Sequence, residues 1–273
     1  MDWPARLGIM CQLIATEEAS RQTLAAAAQA GFHRIQVNFP WNRVDAAYLK
    51  ALPVWIRAEG LRSDVLGVYV NCASPETVLM ATRREDFARA FDFAGELGAR
   101  HLTAWTGSFS AELMKADPRN VAPGAAEGIL RFLDPWLPKL ERARLTLALE
   151  TYITLVCPDA NSLRKLLDRL PPCVGAVLDP PNLTPIARYA ERDPVLREMF
   201  LTLRGRIAVV HMKDFRLAGD RYDLPGPLMG EMNYPLFLRN VAALPADVPL
   251  VAEHLQPAQF AEARRQLLAL AAS

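Results

Sequence analysis

The sequence predicts a single α/β domain, a closed (β/α)8 TIM barrel spanning residues 1–273. Three observations carry this. Eight short apolar runs alternate with longer stretches of helical spacing, the pattern of a parallel sheet. The runs are nearly free of charge, as strands buried on both faces must be. The length of 273 residues suits eight such units, which need about 250. No Gly/Ser-rich linker, low-complexity tract or shift in composition divides the chain. A doubly wound open sheet is the alternative. Against it, neither G-x-G-x-x-G nor G-x-x-x-x-G-K-[ST] follows the first run, and G-x-S-x-G is absent.

The first predicted strand is Leu7–Leu13. Thr16-Glu17-Glu18 opens the helix after it, with acids where the helix dipole favours them, and Gly31 closes it. Strand two is Arg34–Asn38 and strand three is Val65–Val70. Ser74-Pro75-Glu76-Thr77 then starts a helix that runs to Gly98, with a capping serine, a proline in the first turn and an acid. Strand four, His101–Trp105, is followed by a helix over 125–143 and by strand five, Leu145–Glu150. A helix over 159–170 leads to strand six, Val174–Leu178, and one over 185–204 to strand seven, Ile207–His211. Phe215–Asn233, with Gly219, Pro225, Gly226, Pro227 and Gly230, reads as a long loop. Strand eight, Pro249–Glu253, and a helix over 257–272 complete the pattern.

Composition narrows the function classes. Hydrophobic residues make up 51% and charged residues 22%, which suits a packed core and excludes a disordered chain. Lys+Arg is 31 and Asp+Glu 30, a net charge of +1, without the basic excess of a nucleic-acid binder. No window approaches the roughly 18 apolar residues of a membrane span, and the N-terminus carries no apolar leader. Cys11, Cys72, Cys157 and Cys173 show no C-x-x-C spacing. They read as free thiols and point to the cytoplasm.

The second half carries the chemistry. Strands five to eight end in Leu-Glu150, Leu-Asp179, Val-His211 and Ala-Glu253, each apolar until an ionisable last position. Taken alone, Asp179 before Pro180-Pro181 reads as a turn residue, His211 as a satisfied core histidine, and the glutamates as solvated strand ends. Together they point elsewhere. Neighbouring strands lie about 4.8 Å apart, and the C-terminal rim is where this fold builds its sites. Three carboxylates crowded there would repel, and a divalent cation removes that penalty. The oxygen-rich set Glu150, Asp179, His211 and Glu253 suits one Mn²⁺ or Mg²⁺, with Co²⁺ or Zn²⁺ as alternatives.

The order Glu, Asp, His, Glu on strands five to eight resembles the xylose isomerase-like TIM-barrel superfamily, which includes sugar phosphate isomerases and epimerases. His211-Met212-Lys213-Asp214 resembles its H-x-K-D run, and Gly230-Glu231-Met232-Asn233-Tyr234-Pro235 its G-E-x-[DN]-[YF]-P segment. The resemblance implies that the four residues bind one metal and that Glu150 and Glu253 are also the catalytic acid and base. Metal on a carbonyl and a neighbouring hydroxyl would stabilise an enediolate during proton transfer. Two glutamates acting from opposite faces give epimerisation, and one shuttling a proton between two carbons gives isomerisation. The expected partner is a small carbohydrate or polyol, phosphorylated or not.

The chain departs from the family pattern where D-x-x-H becomes Asp179-Pro180-Pro181-Asn182. Asn182 can hydrogen-bond to substrate but carries no charge. Arg216 lies five residues after His211, not six, so the epimerase arginine is not transferred. Lys213 shares parity with His211, so its amine can point into the pocket, with an exposed loop lysine as the alternative. Trp105 and Trp41 can wall a sugar pocket or pack in the core. Three further readings stay open: a keto-inositol dehydratase or isomerase, a non-catalytic sugar-binding barrel, and an endonuclease IV-type AP endonuclease. The last is disfavoured because only His33, His101, His211 and His254 are present, too few for a three-zinc cluster. Self-association through exposed barrel helices is also open.

Overall fold

A computed structural model describes residues 2–14, 16–74 and 84–272. Its elements are α1 (Trp3–Arg6), β1 (Leu7–Gln12), α2 (Glu17–Gln29), β2 (Arg34–Asn38), α3 (Ala46–Ala58), β3 (Arg62–Asn71), α4 (Arg84–Leu97), β4 (His101–Trp105), α5 (Glu127–Leu133), α6 (Leu137–Ala143) and β5 (Thr146–Glu150). They continue with α7 (Ala160–Leu167), β6 (Val174–Leu178), α8 (Pro180–Leu183), α9 (Arg192–Thr202), β7 (Ile207–Met212), β8 (Arg216–Ala218), β9 (Arg221–Asp223), α10 (Tyr234–Ala242), β10 (Leu250–Ala252) and α11 (Phe260–Ala271).

Eight strands pair in parallel around a closed circle in the order β1-β10-β7-β6-β5-β4-β3-β2. The barrel is therefore the predicted one, and the open sheet is excluded. Strands β2, β4 and β6 have the predicted bounds, whereas β3 begins earlier, at Arg62, and bends through register shifts against β2 and β4. The helix predicted over 125–143 divides into α5 and α6, because Pro135 and Pro138 lack the amide hydrogens a continuous helix needs. The long loop after β7 contains a hairpin that the sequence reading missed. It is β8–β9, turning at Gly219-Asp220 with Gly219 at φ +69°. The helix start predicted at Ser74-Pro75-Glu76-Thr77 falls on residues 75–83, outside the described residues.

Two apolar cores result. The larger lies between the strands and the surrounding helices. The smaller fills the lumen with Val65, Ala148, Val177, Val209 and Val251, against which Met10 and Ala208 pack. Side chains on a strand alternate faces with period two. The next lumen-facing residue beyond Ala148 is therefore Glu150. Beyond Val177 it is Asp179, beyond Val209 His211 and beyond Val251 Glu253. The four ionisable residues form the layer directly above the lumen core, at the C-terminal mouth.

Candidate metal centre

Each side chain has a local reason to face the mouth. Glu150 is the last residue of β5 and is 2% exposed. Asp179 occupies the N-cap position of α8, where a carboxylate ordinarily caps, yet its side chain makes no capping bond. Pro180 in the first turn supplies no amide hydrogen, and the Asp179 carboxylate turns to the lumen instead. His211 lies within β7 and is fully buried, and Glu253 follows β10 at 4% exposure.

One oxygen of Glu150, one of Asp179 and one nitrogen of His211 lie within 4.8 Å of each other. His211 Nδ1 is 3.4 Å from Glu150 Oε2, 3.9 Å from Asp179 Oδ2 and 3.5 Å from Glu253 Oε2. Glu150 Oε2, Asp179 Oδ1 and His211 Nδ1 are buried without hydrogen-bond partners. Buried acceptors are normally satisfied, so three converging orphans fit the demand of a divalent cation for lone pairs. Glu253 completes the ring around His211 from β10, the strand paired with β7.

Lys213 is also in this layer. It is buried, and its Nζ lies 2.7 Å from Asp179 Oδ2 and 2.9 Å from Glu253 Oε1. The pocket-facing alternative for this residue is the observed one. Burial opposes its charge, but Asp179 and Glu253 hold its pKa above the ordinary lysine value. Burial likewise disfavours a charged His211, yet Glu253 and Glu150 outweigh it and raise the ring to about 9. The Asp179 carboxyl is pushed up to about 7 by burial, with Lys213 pulling down and the other two carboxylates pushing up. Burial would raise Glu253 too, but Lys213 and His211 bring it down to about 2. Such opposed displacements within one cluster make it a candidate functional site.

Asn182 donates from Nδ2 to Glu150 Oε1 at 2.8 Å. It therefore orients that carboxylate and leaves Oε2 directed at His211. Trp105 packs against Tyr69, centroids 5.0 Å apart, and both line a cavity of about 550 Å³ over Glu150, Lys213 and Glu253. Trp41, by contrast, is a core residue. It is fully buried against Phe39 and Phe93 and donates from its indole N–H to the Gly67 carbonyl. A larger cavity of about 670 Å³ opens at the opposite end of the barrel, beside Arg34, Arg62 and Asp64. The smaller one is the candidate site because Glu150, Lys213 and Glu253 of the buried cluster line it.

The two recognised motifs turn out to build the loop after β7. Asp214 Oδ1 accepts from the Phe215 and Met232 amides, and a Cβ on Gly230 would collide with it. Asn233 caps α10. Sequence reasoning missed Gln36 and Tyr69. Gln36 is fully buried with Oε1 3.0 Å from His211 Nε2, and its Nε2 donates to the Tyr69 phenol. The available signal was the polar parity of Arg34, Gln36 and Asn38 within an otherwise apolar strand.

No curated protein matches the chain. Solved structures share its fold. A D-allulose 3-epimerase from Methylomonas sp. aligns at TM-score 0.71 and 14% identity, covering 97% of each chain. A xylose isomerase-like TIM barrel protein from Mycobacterium smegmatis, in complex with magnesium, aligns at 0.70 and 16%, covering 94% of this chain and 89% of that one. The probable 3-DHS dehydratase AsbF from Bacillus anthracis aligns at 0.70 and 14%, covering 96% and 98%. The profile described as Xylose isomerase-like TIM barrel matches residues 24–270. With that match across nearly the whole chain, on a closed eight-stranded barrel, the protein belongs to the xylose isomerase-like TIM-barrel family.

Proposed function

We propose that the protein is a divalent-metal-dependent isomerase or epimerase of a small polyhydroxy carbonyl compound. The observation that carries this is the convergence of orphaned atoms from Glu150, Asp179 and His211 beneath a sugar-sized cavity, with Glu253 facing them. Glu150, Asp179, His211 and Glu253 would hold one cation, Mn²⁺ or Mg²⁺ by the hardness of the set. Such a cation would polarise the substrate carbonyl and acidify the adjacent C–H.

The protein's own residues then move the proton. Glu150 and Glu253 both lie within 3.5 Å of His211 Nδ1, so both carboxylates would border a substrate held at the cation. One, ionised, removes the proton, and the other, entering the step protonated from solvent, gives its own proton to the opposite face for epimerisation. Asn182 keeps Glu150 aligned and can contact substrate, while Trp105 covers an apolar sugar face. The Lys213 ammonium can hydrogen-bond to the oxygen on which negative charge develops. A dehydratase is the second reading, because a buried ammonium beside the carboxylates can also protonate a departing hydroxyl.

Solvent deuterium tests the proposal. With Mn²⁺ and a panel of ketoses that includes D-allulose, the protein should place deuterium on the carbon beside the carbonyl. Glu150→Gln and Glu253→Gln should each slow this at least about 100-fold while metal content, measured in the same samples, stays above half. Wild-type exchange in either metal-loaded variant would reduce that glutamate to a ligand. Loss of a hydroxyl without exchange-only product would favour the dehydratase.

A further inference from the structure

We infer that Gln36, reaching His211 from β2, is a positioning residue that sets which nitrogen of His211 faces the carboxylates. The inference rests on the metal-centre reading above. Gln36 and His211 are both fully buried, and Gln36 Oε1 lies 3.0 Å from His211 Nε2. A carbonyl oxygen there accepts, so Nε2 carries a proton and donates. Nδ1 is then the nitrogen with a lone pair for a cation, and it is the one that faces Glu150, Asp179 and Glu253.

The direction of the Gln36 amide is fixed by its other neighbours. Its Nε2 donates to Asn38 Oδ1 at 3.1 Å and to the Tyr69 hydroxyl at 3.0 Å. Turning the amide over would aim Nε2 at His211 and require Asn38 to turn as well. Asn38 Nδ2 donates to the Met10 sulfur at 3.1 Å. Reversed, Asn38 would set its carbonyl oxygen against a thioether that has no proton to give. The observed direction is therefore the satisfied one.

The surroundings are shaped around this chain of bonds. A Cβ at Gly67 would run into Asn38 Oδ1, so β3 leaves space for the Asn38 side chain. Tyr69 sits at φ +53°, a strained backbone for a tyrosine, and that conformation delivers its hydroxyl to Gln36. Burial, reinforced by Glu150 and Glu253, keeps the phenol protonated far above the ordinary range, so it persists as a neutral partner. A buried amide in a barrel lumen is expensive unless its bonds are made, and here Gln36 bonds to His211 at one end and to Asn38 and Tyr69 at the other.

The test uses Gln36→Leu, Gln36→Glu and His211→Ala in the full chain. Mn²⁺ affinity is measured by competition with a chelator, and ¹⁵N spectra of histidine-labelled wild type are recorded with Zn²⁺. Gln36→Leu should bind Mn²⁺ about 10–100-fold more weakly. Gln36→Glu keeps both the shape and an acceptor for Nε2–H and should recover most of that loss, and the ring protonation in the Zn²⁺-loaded spectrum separates the acceptor's role from packing. The Zn²⁺-loaded spectrum should show His211 protonated on Nε2 alone. An Nδ1-protonated ring in the Zn²⁺-loaded protein, or equal Mn²⁺ affinity in folded Gln36→Leu, overturns the inference. Equal affinity in His211→Ala and wild type overturns the metal-centre reading itself, a different outcome.

Discussion

Lys213 balances the buried carboxylates at the barrel mouth. Its ammonium stands between Asp179 and Glu253, both buried. Removing one partner of a buried ion pair leaves uncompensated charge and costs about 3–5 kcal/mol. Lys213→Met should therefore destabilise the metal-free protein by about 3 kcal/mol in urea unfolding, and saturating Mn²⁺ should restore most of it. A loss unchanged by Mn²⁺ would show that Lys213 acts by packing alone. His211 gives the pH dependence. Its folded pKa, about 9, stands above the unfolded value of 6.5. Its stabilising contribution is complete below pH 6.5 and fades as pH rises through 9. Asp179, raised from 3.8 to about 7, falls away in the same direction over a lower window. Glu253, lowered from 4.5 to about 2, acts oppositely and loses its contribution only in acid. Metal-free unfolding midpoints should thus decline between pH 6.5 and 9, and His211→Ala should flatten that decline.

At the level of elements, the ends of β3 and β4 are tied by one buried side chain. Asn71 Oδ1 accepts from the Ala73 and Ser108 amides, and Asn71 Nδ2 donates to the Ser108 carbonyl. Gly107 makes room for it, since a Cβ there would strike Asn71 Oδ1. Asn71→Leu strands four buried backbone groups, because the Ser74 amide also donates to Asn71 Oδ1 at 3.4 Å. Each unsatisfied group costs about 1–3 kcal/mol, and partial relaxation brings the expected loss to about 3 kcal/mol. Urea unfolding measures it. Mn²⁺ affinity should change little, because none of the four candidate ligands touches this knot. A large drop in affinity with unchanged stability would contradict the assignment.

For the whole molecule, metal and fold are linked by mass action. Four strands contribute the candidate ligands, so an ion bound there favours the closed barrel over the unfolded chain. At 100 times its dissociation constant an ion adds about 2.7 kcal/mol, which for a chain of this size raises Tm by roughly 5–10 °C. Calorimetry should show that rise with Mn²⁺, reversal by EDTA, and no response in Asp179→Ala. A net charge of +1 also predicts no retention of duplex DNA at physiological salt. Incision of abasic DNA would revive the nuclease alternative. Among the described residues, no helix is long and apolar enough to cross a membrane.

The barrel and the residues at its mouth are legible in the sequence. An apolar strand that ends in Glu150, Asp179, His211 or Glu253 shows both its burial and its exception, and period two fixes the facing side. Lys213 was legible through the same parity, although its alternative was an exposed loop. Tertiary structure alone decided the rest. Gln36 and His211 lie 175 residues apart in sequence, and only barrel closure brings β2 within reach of β7. Tyr69 depends on a backbone bend at φ +53° that no local propensity favours. Trp105 ends a strand and Trp41 follows one, but the first faces the cavity and the second packs against α4. Composition and periodicity report what a residue must avoid, which is water or an apolar wall. Which partner it meets depends on chain closure, and that is a property of the whole barrel.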